Sequence, residues 1–314
     1  MLNINNYKYK EPEMILTDMK DVEEWRQKVP MDYISSIQLA VSSGEEGYFE
    51  RAWDIIYNIS RLYIPDRLYK YCSLTNNKEL NEQKLNTLVN DRIYMSNVID
   101  LNDPFDNKAY FFDTDILNEL KYWNSDINTI FKDLSSALKV CSLTKNGVSS
   151  MPMWAHYANN HKGYCIEYDM NDNRELKSLT FPVQYTSERL NITSFIKQYM
   201  LEIDQMIKKR IDEQLILKRV NFFAKNLTHI ISYLCNVKHD SWSYEGEYRC
   251  TTGAQEIHSD YVMAKPKVIY IGMKCTDEYK TKLINIANKK AISIYQMGFN
   301  DLDYAYILPT KEIV

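Results

Sequence analysis

From Ile192 to Lys238 the chain contains neither glycine nor proline. Such a stretch offers the backbone no ready break. Ile196, Met200, Ile203 and Ile207 recur along it at helical spacing, and Val220, Phe223, Leu227, Ile230 and Leu234 resume the pattern after an irregular middle. The pattern predicts two long helices. The flanking sequence has another texture: short aromatic and β-branched runs such as "KVCSLT", "GYCIEYD", "EYRCTT" and "KVIYIGM". Two long helices set inside a series of short strands point to an α+β fold with a central mixed or antiparallel sheet, not a regular parallel α/β one.

Met31 to Leu62 reads as two further helices broken at "SSGEEG", with Phe49, Trp53, Ile56 and Ile59 on one face, and Pro65-Asp66 ends the unit. Residues 1–64 are therefore expected to form an N-terminal helical extension. Residues 65–314 are expected to form the α+β domain, with its helical insertion over about 192–238. "RLYKYCS", "RIYMS", "KAYFF", "FPVQYT", "AISIYQM" and "YAYILP" read as strands. "NKELNEQKLNTLVN", about Thr114 to Leu138, and Asp277 to Asn288 read as helices. Both helical additions should lie outside the sheet, with apolar faces buried on it or on a protein partner.

Only 8 glycines occur, with no G-x-G-x-x-G or P-loop, which argues against a glycine-turn dinucleotide fold. A net charge of −4 provides no broad basic field for nucleic acid. The six cysteines are scattered without a C-x-x-C pair, as suits free thiols in a reducing compartment. No signal-like or membrane-spanning apolar run occurs, so a cytoplasmic protein without membrane contact is expected.

Three clusters are candidates for chemistry. Lys70 and Tyr71 lie on the first strand. Asn102 and Asp103, with Asp106, form the "NDPFD" turn, followed at a distance by Trp154, His156, Tyr157 and His161. The third cluster is "WSYEGEYR", with Glu245 and Glu247 two apart. Each could be structural: aromatic residues beside short strands are often core, and alternating acids are often a solvated face. His156 and His161 are five apart, not the four that places two ligands on one helical face, so no metal is expected. Extended backbone would put Glu245 and Glu247 on one face. Neighbouring carboxylates separate in pKa, one staying ionised while the other handles a proton, which suits glycosidic cleavage. Tyr157 could stack on a planar leaving base, and Lys70 could hold phosphate.

"LYKY", "NDPFD", "MWAHYANNHKGYCIEYD" and "WSYEGEYR" together resemble a widespread bacterial domain-of-unknown-function family, DUF2971, from about Leu68 to the C-terminus. The first 64 residues and the helices after Ile192 look like additions to it. The order of an early polar–aromatic pair, a middle Tyr and a late-strand Glu is also similar to ADP-ribosyltransferases. That resemblance implies NAD as substrate, with Lys70-Tyr71 at the ribose, Tyr157 on nicotinamide, Glu247 catalytic and Glu245 activating an acceptor. A bacterial toxin or phage-defence effector of this kind is the expected function, with a nucleotide as small-molecule partner and the protein or nucleic-acid acceptor unassigned. The alternatives are a non-enzymatic module that senses a nucleotide or peptide, and a metal-dependent nuclease or hydrolase using the turn acids and histidines.

Overall fold

The structure, a computed structural model, describes residues 32–43, 53, 56–120, 135–251, 260–299 and 310–313. Helix α1 (Tyr33–Ser43) is followed by a helical stretch that ends at Arg61. Strand β1 (Arg67–Cys72), helix α2 (Lys78–Val89) and strands β2 (Arg92–Tyr94) and β3 (Ser96–Asn97) follow. Next come β4 (Tyr110–Phe111), α3 (Thr114–Asn118), β5 (Lys139–Thr144), α4 (Met151–Tyr157), β6 (Tyr164–Asp169), α5 (Arg174–Leu179) and β7 (Thr180–Pro182). The middle of the chain supplies β8 (Gln184–Tyr185), β9 (Leu190–Asn191), α6 (Thr193–Lys208), α7 (Glu213–Leu234) and β10 (Val237–Lys238). It closes with β11 (Glu247–Thr251), β12 (Tyr261–Met263), β13 (Val268–Ile271), α8 (Asp277–Lys290), β14 (Ser293–Met297) and β15 (Thr310–Glu312). Gly44 to Gly47 of the "SSGEEG" break, "YAYILP" and most of the helix expected over Thr114 to Leu138 fall outside the described residues.

The central sheet runs β15-β14-β13-β6-β1-β5-β11-β7, with β3 also on β5. It is mixed: β13 and β14 are parallel, the other pairs antiparallel. The fold is α+β. The glycine- and proline-free stretch forms α6 and α7, separated by a short break before Asp212, whose side chain accepts the Gln214 N–H and caps α7.

Strand alternation explains how the sheet is covered. Leu68, Cys141, Leu143, Tyr164, Ile166, Tyr168, Tyr248 and Ile269 point to one face, into a core shared with α2, α5 and α8. The other face has two separate covers. Over β1 and β6, Tyr71 and Cys165 pack with Met153, Trp154 and Ala158 of the α4 region. Beyond β5, Val140 and Phe181 pack with α1, α6 and α7 through Tyr33, Ile37, Ile196, Leu227 and Ile230. The N-terminal helices therefore bury their apolar faces on the inserted ones. Arg61 fastens this unit to the sheet, donating to the carbonyls of Lys177 (2.5 Å) and Ser178 (3.0 Å) and to that of Thr180. Among the described residues no helix is long and apolar enough to cross a membrane.

Candidate functional site

Between the two covers lies a cavity of about 370 Å³. Its floor is sheet: Tyr69 and Tyr71 from β1, Ser142 and Thr144 from β5, Glu247 and Arg249 from β11. One wall is α4, through Met153 and Tyr157. The facing wall is β10 and the turn after it, through Lys238, Trp242 and Glu245, and the 102–106 turn borders the mouth. β1 touches β5 at one registered pair, Tyr69 with Thr144, and β3 takes over that edge of β5 at Val140. The cavity reaches into the gap this leaves.

The expectation that "EGE" is extended is corrected here. Asp240–Glu245 is a 3₁₀ helix, and Gly246 ends it in the left-handed region, at φ 52° and ψ 44°. The positive φ favours glycine, and a Cβ here, 2.6 Å from Asn146 Oδ1, would also push the Asn146 side chain aside. The turn is pinned to the floor by Thr144 Oγ1 donating to the Glu245 carbonyl (2.6 Å) and Asn146 Nδ2 donating to the Tyr244 carbonyl (2.6 Å). The two carboxylates still converge, because the tight turn folds Glu245 back over the start of β11.

They meet at Lys238, whose ammonium donates to Glu245 Oε2 (2.7 Å) and Glu247 Oε2 (3.2 Å) and sits 4.7 Å above the Trp242 ring. Arg249, fully buried, donates from Nε to Glu247 Oε1 (2.8 Å), from Nη2 to Glu247 Oε2 (3.2 Å) and to Asp106 Oδ1 (2.8 Å), and from Nη1 to the Cys235 carbonyl (2.6 Å). Cys235 is the C-cap of α7, where the helix presents its negative end to the guanidinium. On the far side, the Tyr157 hydroxyl donates to Glu245 Oε1. A continuous chain results: Tyr157, Glu245, Lys238, Glu247, Arg249, Asp106.

In this chain three carboxylates face two cations, so one negative charge is in surplus. Burial alone would raise Glu247, but Arg249 and Lys238 hold it down at about 2, so it stays an anion. Burial pushes Glu245 up, and the bonds from Lys238 and Tyr157 only partly oppose this while Glu247's charge adds to it. The proton goes most easily to Glu245. Burial, reinforced by the bond to Glu245 and its charge, keeps the Tyr157 phenol neutral.

Of the residues singled out from sequence, Lys70, Tyr71, Asn102, Asp103, Tyr157, Glu245 and Glu247 border this cavity. Lys70 and Tyr71 do not act as a pair, because neighbours on a strand point to opposite faces. Tyr71 is nearly buried, donates to the Gly147 carbonyl (2.7 Å) and stands edge-on to Trp154. Lys70 lies beside the strand gap with its ammonium 3.1 Å from Cys141 Sγ. Asp103 Oδ1 accepts the Phe105 N–H (2.9 Å) and so closes the turn.

Trp154 and His156 are corrections. Trp154 is completely buried and off the cavity, its Nε1 donating to the Val148 carbonyl (2.7 Å). His156 is exposed and does not border the cavity. His161 stacks on Trp154, and Asn159, Asn160 and His161 all take positive φ (49°, 54° and 68°). This left-handed turn is clamped between β1 and β13. Asn159 Nδ2 donates to the Leu74 carbonyl (2.5 Å), and the carbonyls of His161 and Gly163 each accept a backbone N–H, from Lys274 and Gly272 (both 2.9 Å). A Cβ at Gly163 would lie 2.0 Å from the Cys72 carbonyl oxygen. The aromatic stretch is thus mostly a fastening for the sheet, and Tyr157 is the aromatic member it presents to the cavity, beside Met153. Among the described residues, no group of three or more His, Cys, Asp or Glu is arranged to hold a metal ion.

Lys238 and Arg249 were not foreseen, nor was Ser142, exposed on the cavity floor, whose hydroxyl helps to hold Glu247 as an anion. A basic residue two after Glu247 on a strand was the one available signal, since i and i+2 share a face.

Over residues 153–250 the chain matches the family described as "Protein of unknown function (DUF2971)", in agreement with the resemblance carried by its motifs. The matched segment is shorter than the motifs suggested. It includes the two inserted helices and holds Tyr157, Lys238, Glu245, Glu247 and Arg249, while Asp106 lies outside it. The match carries no statement about ADP-ribosyl transfer. No curated protein and no solved structure matches the chain.

Proposed function

We propose that the cavity is the active site of an enzyme that cleaves the N-glycosidic bond of a nucleotide, with NAD as candidate substrate and ADP-ribosyl transfer as the corresponding group-transfer reaction. One observation supports this above the others: two carboxylates share one buried lysine, yet one is held as an anion and the other is biased toward carrying a proton. Separated acid–base pairs of this kind serve glycosidic chemistry. The sequence reading made Glu247 catalytic and Glu245 its helper. In our proposal Glu245 is the general base and Glu247 the fixed anion that holds Lys238 and Arg249 in place. The bond from ribose C1′ to the nicotinamide nitrogen breaks, and both its electrons pass to nicotinamide. The oxygen of water, or of an acceptor, bonds to C1′ and gives its proton to Glu245. Tyr69, Tyr157 and Trp242 would supply aromatic surface for the base.

A second reading, a non-catalytic nucleotide-binding module, draws support from Glu247, whose two oxygens are both engaged by Arg249 and Lys238. Incubation of the full chain with NAD and other nucleotides, with freed base quantified, tests the proposal. Tight binding without freed base leaves the second reading.

A further inference from the structure

The ionic chain has a support on the side away from α4. Among the described residues β10, which carries Lys238, has one strand neighbour, the two-residue β8. They run parallel, with Gln184 beside Val237 and Tyr185 beside Lys238. Gln184 N–H donates to the Asn236 carbonyl (2.9 Å), and Thr186 N–H to the Lys238 carbonyl (3.0 Å). A shift of β8 therefore moves Lys238.

Gln184 and Tyr185 project to opposite sides, as neighbours on extended backbone do. The Tyr185 hydroxyl accepts the Glu247 N–H at 2.8 Å, fixing the first residue of β11. Gln184 turns the other way, into the N-terminal helical unit. Its Oε1 accepts the N–H groups of Tyr33 (2.6 Å) and Ile34 (3.4 Å), and its Nε2 donates to Asp32 Oδ1 (2.9 Å). Two donors at the start of α1, which no intrahelical carbonyl can reach, are thus satisfied by a side chain about 150 positions away. The Tyr33 hydroxyl adds a buried bond to the Pro182 carbonyl (2.9 Å).

We infer that Gln184 and Tyr185 are positioning residues that couple the docking of α1 to the placement of Lys238 between Glu245 and Glu247. The N-terminal helical unit is then a regulatory input to the site, and whatever displaces α1 loosens the acid–base pair. The inference takes the cavity as the functional site but does not depend on which reaction occurs there.

Hydrogen–deuterium exchange of the full chain tests it without any substrate. Gln184→Ala removes the α1 cap and leaves Tyr185, Lys238 and both glutamates in place. Amides of residues 33–43 and also those of 236–247 should exchange about fivefold to tenfold faster, the scale of one lost cap. Tyr185→Phe probes the opposite direction and should hasten exchange at 236–247 and at 33–43. Faster exchange confined to 33–43 in Gln184→Ala overturns the coupling. If that variant does not fold, wild-type protection of 33–43 in Tyr185→Phe overturns it instead. Coupled exchange without any glycosidic activity would refute the proposed reaction and leave the coupling standing.

Discussion

Tyr157, at the end of α4, donates its hydroxyl to Glu245, 88 positions further along the chain. The bond stabilises the glutamate anion, so Tyr157→Phe should raise the Glu245 pKa further, because a hydrogen bond to the charged form is lost. Carboxyl carbon NMR on selectively labelled protein would report the shift, and the acid limb of base release should move to higher pH with it. An unmoved Glu245 resonance would mean that the bond has no part in tuning the site.

Lys238 tests the charge balance. Lys238→Met leaves Glu245 with Tyr157 alone, while Glu247 keeps Arg249. Because Glu245 is a carboxylate whose folded pKa is raised, its cost is absent below the unfolded value and grows as pH rises above it. Denaturant unfolding of Lys238→Met should therefore show the smaller loss near pH 4, where the missing contact to ionised Glu247 dominates, and roughly 3–5 kcal/mol near pH 8, the scale for one broken partner of a buried pair. Adding Glu245→Gln should remove most of that pH dependence.

Glu247 has the opposite sign. Its folded pKa, about 2, lies below the ordinary 4.5, so its ion pairs stabilise the protein fully above about pH 4.5 and are lost as pH falls toward 2. Acid unfolding of wild type should be steep in that window, and Glu247→Gln should be less stable at neutral pH with a flatter acid limb. Parallel acid limbs in the two proteins would contradict the pairing.

Trp154 should prove structural. Trp154→Ala opens a void in the core that joins α4 to β1 and should cost about 3–5 kcal/mol. Calorimetry would give the loss, and nucleotide affinity of the folded fraction should stay within about twofold of wild type. A large affinity change at unchanged stability would return Trp154 to the binding surface.

These residues also mark what could be read from sequence. Tyr164–Asp169 was legible as a strand from its Tyr and Ile content, and Lys139–Thr144 from Val140 and Thr144 in a short run. The two long helices were legible from their period and from the lack of breaking residues. Glu245 and Glu247 were legible as a pair, but the backbone joining them was not, since a left-handed Gly246 is a local choice that extended-strand reasoning does not anticipate. Lys238 was hidden because it sits at the end of what reads as a helical insertion outside the sheet. Only the pairing of β10 with β8 carries it into the site. Trp154 and His156 failed as ligand contacts for another reason: composition shows that aromatic groups are dense in a segment, not which of them the strand and helix turn inward.

The most direct measurement is nicotinamide released from NAD by the wild-type chain, Glu245→Gln and Glu247→Gln, each verified as folded by its thermal midpoint. With Glu245 as general base, wild type releases nicotinamide, and Glu245→Gln is slower by about 10²–10⁴ with nearly unchanged NAD affinity. Glu247→Gln loses activity together with stability, because its charge anchors Lys238 and Arg249. Wild-type turnover in Glu245→Gln, or no release by the wild-type chain despite bound NAD, would contradict the account.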